Sequence, residues 1–160
     1  MLSLYSDSFL IDAILYYLAL KTGHPDLFGE NDQERLELLQ IRGVLKDILS
    51  GLVTVLYHPN FSEQVVKDGL QPRVLPKYEK LANYLGSKPF LLGDKIKYVD
   101  FFFYENIETL KKLDPQTVDK LGLETYCERF RKIAGIAEYL ASPRFTNGPH
   151  ANPSASKSGI

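Results

Sequence analysis

One cysteine, Cys127, stands in 160 residues, so an intrachain disulfide and a four-cysteine metal site are both excluded. A lone thiol fits the reducing cytosol, which makes cytoplasmic the expected localisation. Charge of one sign is also missing: 19 Lys and Arg face 20 Asp and Glu, for a formal net charge of -1. A nucleic-acid binder carries a basic excess or a basic stripe, and neither is present. No hydrophobic run is long enough for a membrane. The most apolar stretch, Phe9–Leu20, contains Asp12 and follows no basic residue. A spanning helix needs about 20 apolar residues and a signal peptide needs a basic start, so neither is expected. His24, His58 and His150 lie in separate segments without metal-ligand spacing to one another or to Cys127. No glycine loop that could cradle a phosphate occurs. No bound metal or cofactor is therefore expected. Strand alternation of useful length and internal repeats are absent as well.

What is there is helical periodicity. A chain of this size buries roughly 68–70% of its unfolded surface, so a core needs no staple. Ser8–Lys21 reads as a helix: Asp7 or Ser8 can cap it, and Leu10, Ile11, Ile14, Leu15 and Leu18 recur at helical spacing. Thr22-Gly23-His24-Pro25 ends it. Asn31 then offers an N-cap, with Glu34 as its capping-box partner. In the helix that follows, Leu38, Ile41, Leu45, Ile48, Leu52 and Val55 step by three and four, a sustained apolar stripe ending before Pro59. At ~27 residues, or ~40 Å, this helix is long enough to be the spine of a bundle or a subunit interface. Shorter helices are expected over Phe61–Asp68, Val74–Leu85, Val99–Leu110, Glu124–Ile133 and Ile136–Ala141. Gly86–Lys97 reads as a structured loop, and Asp114-Pro115 and Gly122 as punctuation. The fold class is all-α, a helical bundle.

Three segments carry a resemblance to a known family. Asp12-Ala13-Ile14-Leu15-Tyr16-Tyr17-Leu18-Ala19 resembles the "NAILRYLA" helix that closes the thioredoxin-like domain of glutathione transferases. Leu56-Tyr57-His58-Pro59-Asn60-Phe61 is similar to the mu-class "CYSPDFE". Leu92-Gly93-Asp94-Lys95-Ile96-Lys97-Tyr98-Val99-Asp100-Phe101 is close to "AGDKITFVDF", and Ser142-Pro143-Arg144-Phe145 falls where the class has "SSRF". The sequence thus resembles the C-terminal helical domain of a mu-class glutathione S-transferase. On that resemblance, residues 1–22 match the last helix of the thioredoxin-like domain and residues 23–145 the helical domain, while 146–160, rich in Ser, Asn, Gly and Pro, form a loose tail. Apart from that last helix, the family's thioredoxin-like domain, with its catalytic tyrosine and most glutathione contacts, is not expected among the 160 residues. The family's "QS" pair, which holds the γ-glutamyl end of glutathione, aligns with Leu10-Ile11, an apolar pair that cannot hydrogen-bond a carboxylate.

The resemblance also implies site residues. Lys46, Ser50, Val53 and Tyr57 share one helix face, the family's face toward the electrophile. Tyr57 would donate a hydrogen bond to that substrate; it is equally readable as a half-buried aromatic near a helix end. Asp47 matches the mu-class aspartate that reaches across the dimer to the partner's glutathione, or is an ordinary solvated carboxylate. Asp100 matches a structural N-cap residue whose family partner is a Ser or Thr. Lys97 stands there instead and offers no acceptor, so half of that box is lost, a change worth ~1 kcal/mol unless compensated. Cys127 reads as a small core residue.

The implied activity is conjugation of glutathione to apolar electrophiles in detoxification, with glutathione as co-substrate. The chain alone is expected to be inactive because the glutathione site is incomplete. The alternatives are a non-catalytic helical interaction module and a protein that holds an apolar small molecule without chemistry. A homodimer, or a heterodimer with a full-length relative, is the expected assembly. The apolar surplus on the first helix and at Leu39, Val44, Leu49, Val53 and Leu56 is more than one small bundle covers.

Overall fold

The computed structural model describes residues 7–145, with side chains from Ile11 onward. The cap candidates Asp7 and Ser8, the Leu10 half of the apolar pair, His150 and the expected loose tail lie outside the described residues or side chains. Among the described residues there are helices α1 (Asp7–Lys21), α2 (Asp32–Leu56), α3 (Glu63–Leu70), α4 (Leu75–Leu85), α5 (Tyr98–Leu113), α6 (Pro115–Lys120), α7 (Leu123–Arg131) and α8 (Ala134–Leu140), with a 3-10 turn over Pro25–Phe28. No strand forms among them; Phe90 and Gly93 make an isolated antiparallel bridge in the loop before α5. The fold is all-α.

α2 is the spine. Asn31 Oδ1 accepts the Glu34 N–H at 2.9 Å, which satisfies one of the orphan donors of the first turn. Glu34 reaches back, as a capping box requires, but to the Glu30 N–H at 3.0 Å, one residue before the cap. All six stripe residues from Leu38 to Val55 are buried, and α3, α4 and α5 pack on that stripe. The approach is close because two glycines permit it: a Cβ on Gly51 would overlap Val74 Cγ2, and one on Gly69 would overlap Val55 Cγ2. Polar staples fix the register of the bundle. Asn106 Nδ2 donates to the Leu45 carbonyl at 3.1 Å, and Tyr78 Oη donates to the Asn106 carbonyl at 2.6 Å. α5 adds Phe103, Ile107 and Leu110 to the same core.

The structure corrects two expectations. Asp114-Pro115 begins a helix instead of interrupting the chain. Asp114 Oδ1 accepts the Thr117 N–H at 3.2 Å, and Pro115 occupies the first helical position, where its missing N–H costs nothing. Leu56, counted among the surplus apolar residues, is buried against Leu113.

α1 stands apart from the bundle. Its apolar residues run all round the helix, so no single face can bury them. Ile11, Ile14, Leu18, Tyr16, Tyr17 and Leu20 are each about half exposed. Attachment rests on Ala19, which is buried, on the Asp12–Arg42 ion pair at 2.9 Å and on an edge contact between Tyr16 and Phe28.

Candidate functional site

Lys46, Ser50, Val53 and Tyr57 follow one another along the outer face of α2, opposite the buried stripe. Lys46 is half-buried; Ser50, Val53 and Tyr57 are exposed. Tyr57 caps α2, its N–H bonded to the Val53 carbonyl at 3.0 Å. The structure therefore brings the four together as a single open surface. Continuing the same face toward the N-terminus of α2 gives Gly43 and Leu39, so the surface is mostly small or apolar with Lys46 at its centre. The Tyr57 phenol, the Ser50 hydroxyl and the Lys46 side chain give it hydrogen-bond donors.

Asp47 neighbours this face. Its carboxylate is exposed and takes the Lys77 ammonium of α4 at 2.7 Å. A periodicity argument finds Asp47 but cannot find Lys77, which lies 30 residues away.

Asp100 is buried at the start of α5. Its Oδ2 accepts the Lys97 N–H at 2.8 Å, and its Oδ1 accepts the Leu91 N–H and the Tyr126 hydroxyl, each at 2.9 Å. Burial raises the carboxyl above its ordinary value, against the pull of those three donors. Lys97 supplies no side-chain acceptor to the Asp100 N–H, which turns to the Lys97 carbonyl at 3.0 Å. The lysine instead runs, almost fully buried, to the Asp26 carbonyl at 2.9 Å, to Glu34 at 3.1 Å and to Glu30 at 3.5 Å. The residue that removes the cap thus ties α5 to the 3-10 turn and to the start of α2.

Arg42, Phe28 and Lys97 escape sequence reasoning as organising residues. Arg42 is buried at the edge of the α2 stripe, its guanidinium 3.7 Å from the Phe102 ring centroid and paired with Asp12. The signal available was an arginine at the edge of an apolar stripe, with Asp12 in the middle of the apolar run on the preceding helix. Phe28 stacks on Tyr98 at 4.2 Å. Together with Tyr16, Arg35 and Leu38, these two rings line a cavity of about 470 Å³ beneath α1. A second cavity, of about 530 Å³, lies between α3 and the α5–α6 junction, and a third, of about 500 Å³, between α5, α7 and α8. None of these three is lined by Lys46, Ser50, Val53 or Tyr57. Cys127 is buried and its thiol is pushed up to about 12, so it is protonated at neutral pH and no nucleophile. Among the described residues no cluster of His, Cys, Asp and Glu could hold a metal, and no helix is long and apolar enough to cross a membrane.

Comparison with known proteins bears on the fold and the family. The family model described as glutathione S-transferase, C-terminal domain, matches residues 46–143, a span that includes all six site residues from Lys46 to Asp100. Glutathione S-transferase Mu 1 of Bos taurus is 29% identical over 86% of this chain and 62% of its own length. The class-mu 26 kDa isozyme 1 of Fasciola hepatica is 30% identical over 86% of this chain and 60% of its own. The solved pi-class glutathione S-transferase of Onchocerca volvulus superposes with a TM-score of 0.71 at 25% identity, covering 90% of this chain and 69% of that one. The chain thus spans about six-tenths of the length of the curated relatives it matches. With the helical spine, the buried start of α5 and the family model all in agreement over more than half its length, this chain belongs to the glutathione S-transferase C-terminal domain family.

Proposed function

We propose that this chain is the electrophile-binding half of a mu-class-like glutathione transferase, and that the outer face of α2 is one wall of the substrate pocket. The observation that carries this reading is the single open surface on which Lys46, Ser50, Val53 and Tyr57 lie together. Val53 offers apolar contact, and the Tyr57 hydroxyl donates a hydrogen bond to a polar substituent of the electrophile. Detoxification by conjugation is the whole-protein activity, with glutathione as co-substrate and no bound cofactor, in the cytosol. The 160 residues alone do not conjugate glutathione: Ile11 is an exposed aliphatic where the family's glutathione-binding pair aligns, and Cys127 is not a nucleophile.

The exposed residues of α1 and Leu39 of α2 are the association surface, used by a second copy or by a full-length relative. Asp47 contacts the glutathione held by that partner only after leaving Lys77. A non-catalytic interaction module is the second reading, favoured by the commitment of Asp47 to Lys77.

Titration of the labelled chain with an aryl halide tests the proposal. Tyr57→Phe should weaken binding several-fold while costing about 1 kcal/mol or less in folding, since one hydroxyl on an open face is lost. A large loss of stability with unchanged affinity would return Tyr57 to a structural role.

A further inference from the structure

Charge on α2 is one-sided where its outer face is open. Between Arg42 and Leu56 the charged residues are Arg42, Lys46 and Asp47. Arg42 is paired with Asp12 at 2.9 Å and Asp47 with Lys77 at 2.7 Å, so each of these two is balanced from a neighbouring helix. Lys46 leaves the stretch one positive charge in excess, and it is the single charge among Lys46, Ser50, Val53 and Tyr57. The positions three and four residues away on either side, Arg42, Gly43, Leu49 and Ser50, bring no carboxylate to it. An ammonium carries three N–H donors, so it can serve a ligand and a protein neighbour together.

The surroundings of Lys46 suit a ligand that accepts hydrogen bonds. The Ser50 hydroxyl, one turn on, adds an O–H donor, while the Ser50 carbonyl already takes the Thr54 hydroxyl at 2.8 Å. On the other side of Lys46, Gly43 has no side chain, and a Cβ there would meet nothing within 4 Å, so the approach to the lysine is open. Lys46 is half-buried, and a ligand laid along Ser50 and Val53 strips further water from its ammonium. An uncharged ligand returns nothing for that loss; an anionic group replaces the water with charge-assisted hydrogen bonds.

We propose, resting on the reading of this face as the electrophile wall, that its electrophile is an anion: an aryl carboxylate whose charged group sits between Lys46 and Ser50 and whose ring lies along Val53 toward Tyr57. Val53 is two turns, about 10 Å, from Lys46, which leaves room for one ring between the carboxylate and the apolar contact. Asp47, next to Lys46 in sequence, does not oppose that anion because Lys77 neutralises it. Lys46 is thus the residue that sets specificity on this face.

The test is a magnetic-resonance titration of the full chain with 4-chloro-3-nitrobenzoate and with 4-chloro-3-nitrobenzamide, an uncharged aryl halide of the same shape. Shifts should gather on Ser50, Val53 and Tyr57, and the benzoate should bind about five-fold more tightly than the amide, the size of one partly exposed ion pair. The ratio between the probes is the readout, so an effect common to both does not enter it. Lys46→Met should bring the ratio to one, and Lys46→Arg should keep it. Salt at about 1 M, where the screening length is about 3 Å, should erode it in the natural chain. Equal binding of both probes to this face, or a preference that survives Lys46→Met, would overturn the anion subsite and leave the electrophile wall standing. Shifts gathered elsewhere, or no binding of either probe, would remove the wall and the subsite with it.

Discussion

Lys97 stands where the resemblance expects a hydroxyl cap, and its replacement trades one stabilising device for another. Substituting serine would restore an acceptor for the Asp100 N–H, worth about 1 kcal/mol. It would also expose the start of α2 and empty the channel of the lysine stem, whose four methylenes are worth about 2–3 kcal/mol when buried. Lys97→Ser should therefore fold less stably than the natural chain by about 1–2 kcal/mol in a urea melt, despite its better cap. Asp100→Ala should cost more, about 2–4 kcal/mol, because it strands the Lys97 and Leu91 N–H groups and the Tyr126 hydroxyl in the interior. If Lys97→Ser were the more stable protein, the tie to Asp26, Glu30 and Glu34 would carry no weight. The position of Asp100 was legible from its neighbours in sequence. Its partners Leu91 and Tyr126 were not, since they arrive from a loop and from α7 and only the closed bundle brings them within bonding distance.

At the scale of elements, long helices were legible and short ones less so. α2 announced itself because six apolar residues in register outvote any local ambiguity, and its observed end at Leu56 falls just short of the expected stop before Pro59. α6 was missed because Pro read as a breaker also serves as a first residue, and only Asp114 at the cap position distinguishes the two. The α5–α7 contact depends on charges that no periodicity reveals: Glu124 takes Lys111 at 2.6 Å and Arg131 at 2.9 Å. Lys111, and then Arg131, hold the Glu124 carboxyl below its ordinary value. A depressed acid contributes stability that is complete above its unfolded value, near 4.3, and is lost as the pH falls through the folded one. Asp100, with its carboxyl raised by burial, has the opposite sign and gains as the pH falls. Glu124→Gln should thus lower stability at pH 7 by about 1 kcal/mol, discounted for a side chain partly in water, and the difference from the natural chain should fade as the pH falls below the ordinary carboxylate range. A difference that stays constant across that range would mean that packing, not charge, joins the two helices there.

The described residues form one compact bundle and one helix that the bundle does not cover. α1 exposes Ile11, Ile14, Tyr16, Tyr17, Leu18 and Leu20, and α2 adds Leu36 and Leu39 nearby in sequence. Apolar patches beyond a few hundred Å² mark association surfaces or aggregation liabilities. The sequence hinted at this surplus through the uniform apolarity of α1, although it could not tell that Leu56 would be buried while Leu39 stayed outside. At low micromolar concentration the purified chain should sediment as a dimer or larger, and a single stable species at 18.2 kDa would contradict the association surface proposed for α1 and α2.

The proposed division of labour is that these 160 residues receive an apolar electrophile on the outer face of α2 and do not themselves deliver glutathione to it. Incubation of the chain with glutathione and an aryl halide, following conjugate formation against protein concentration, tests that division most directly. The expected rate equals the uncatalysed background at every protein concentration. A rate that rises in proportion to protein would contradict it, and would require a thiol-activating group within this chain.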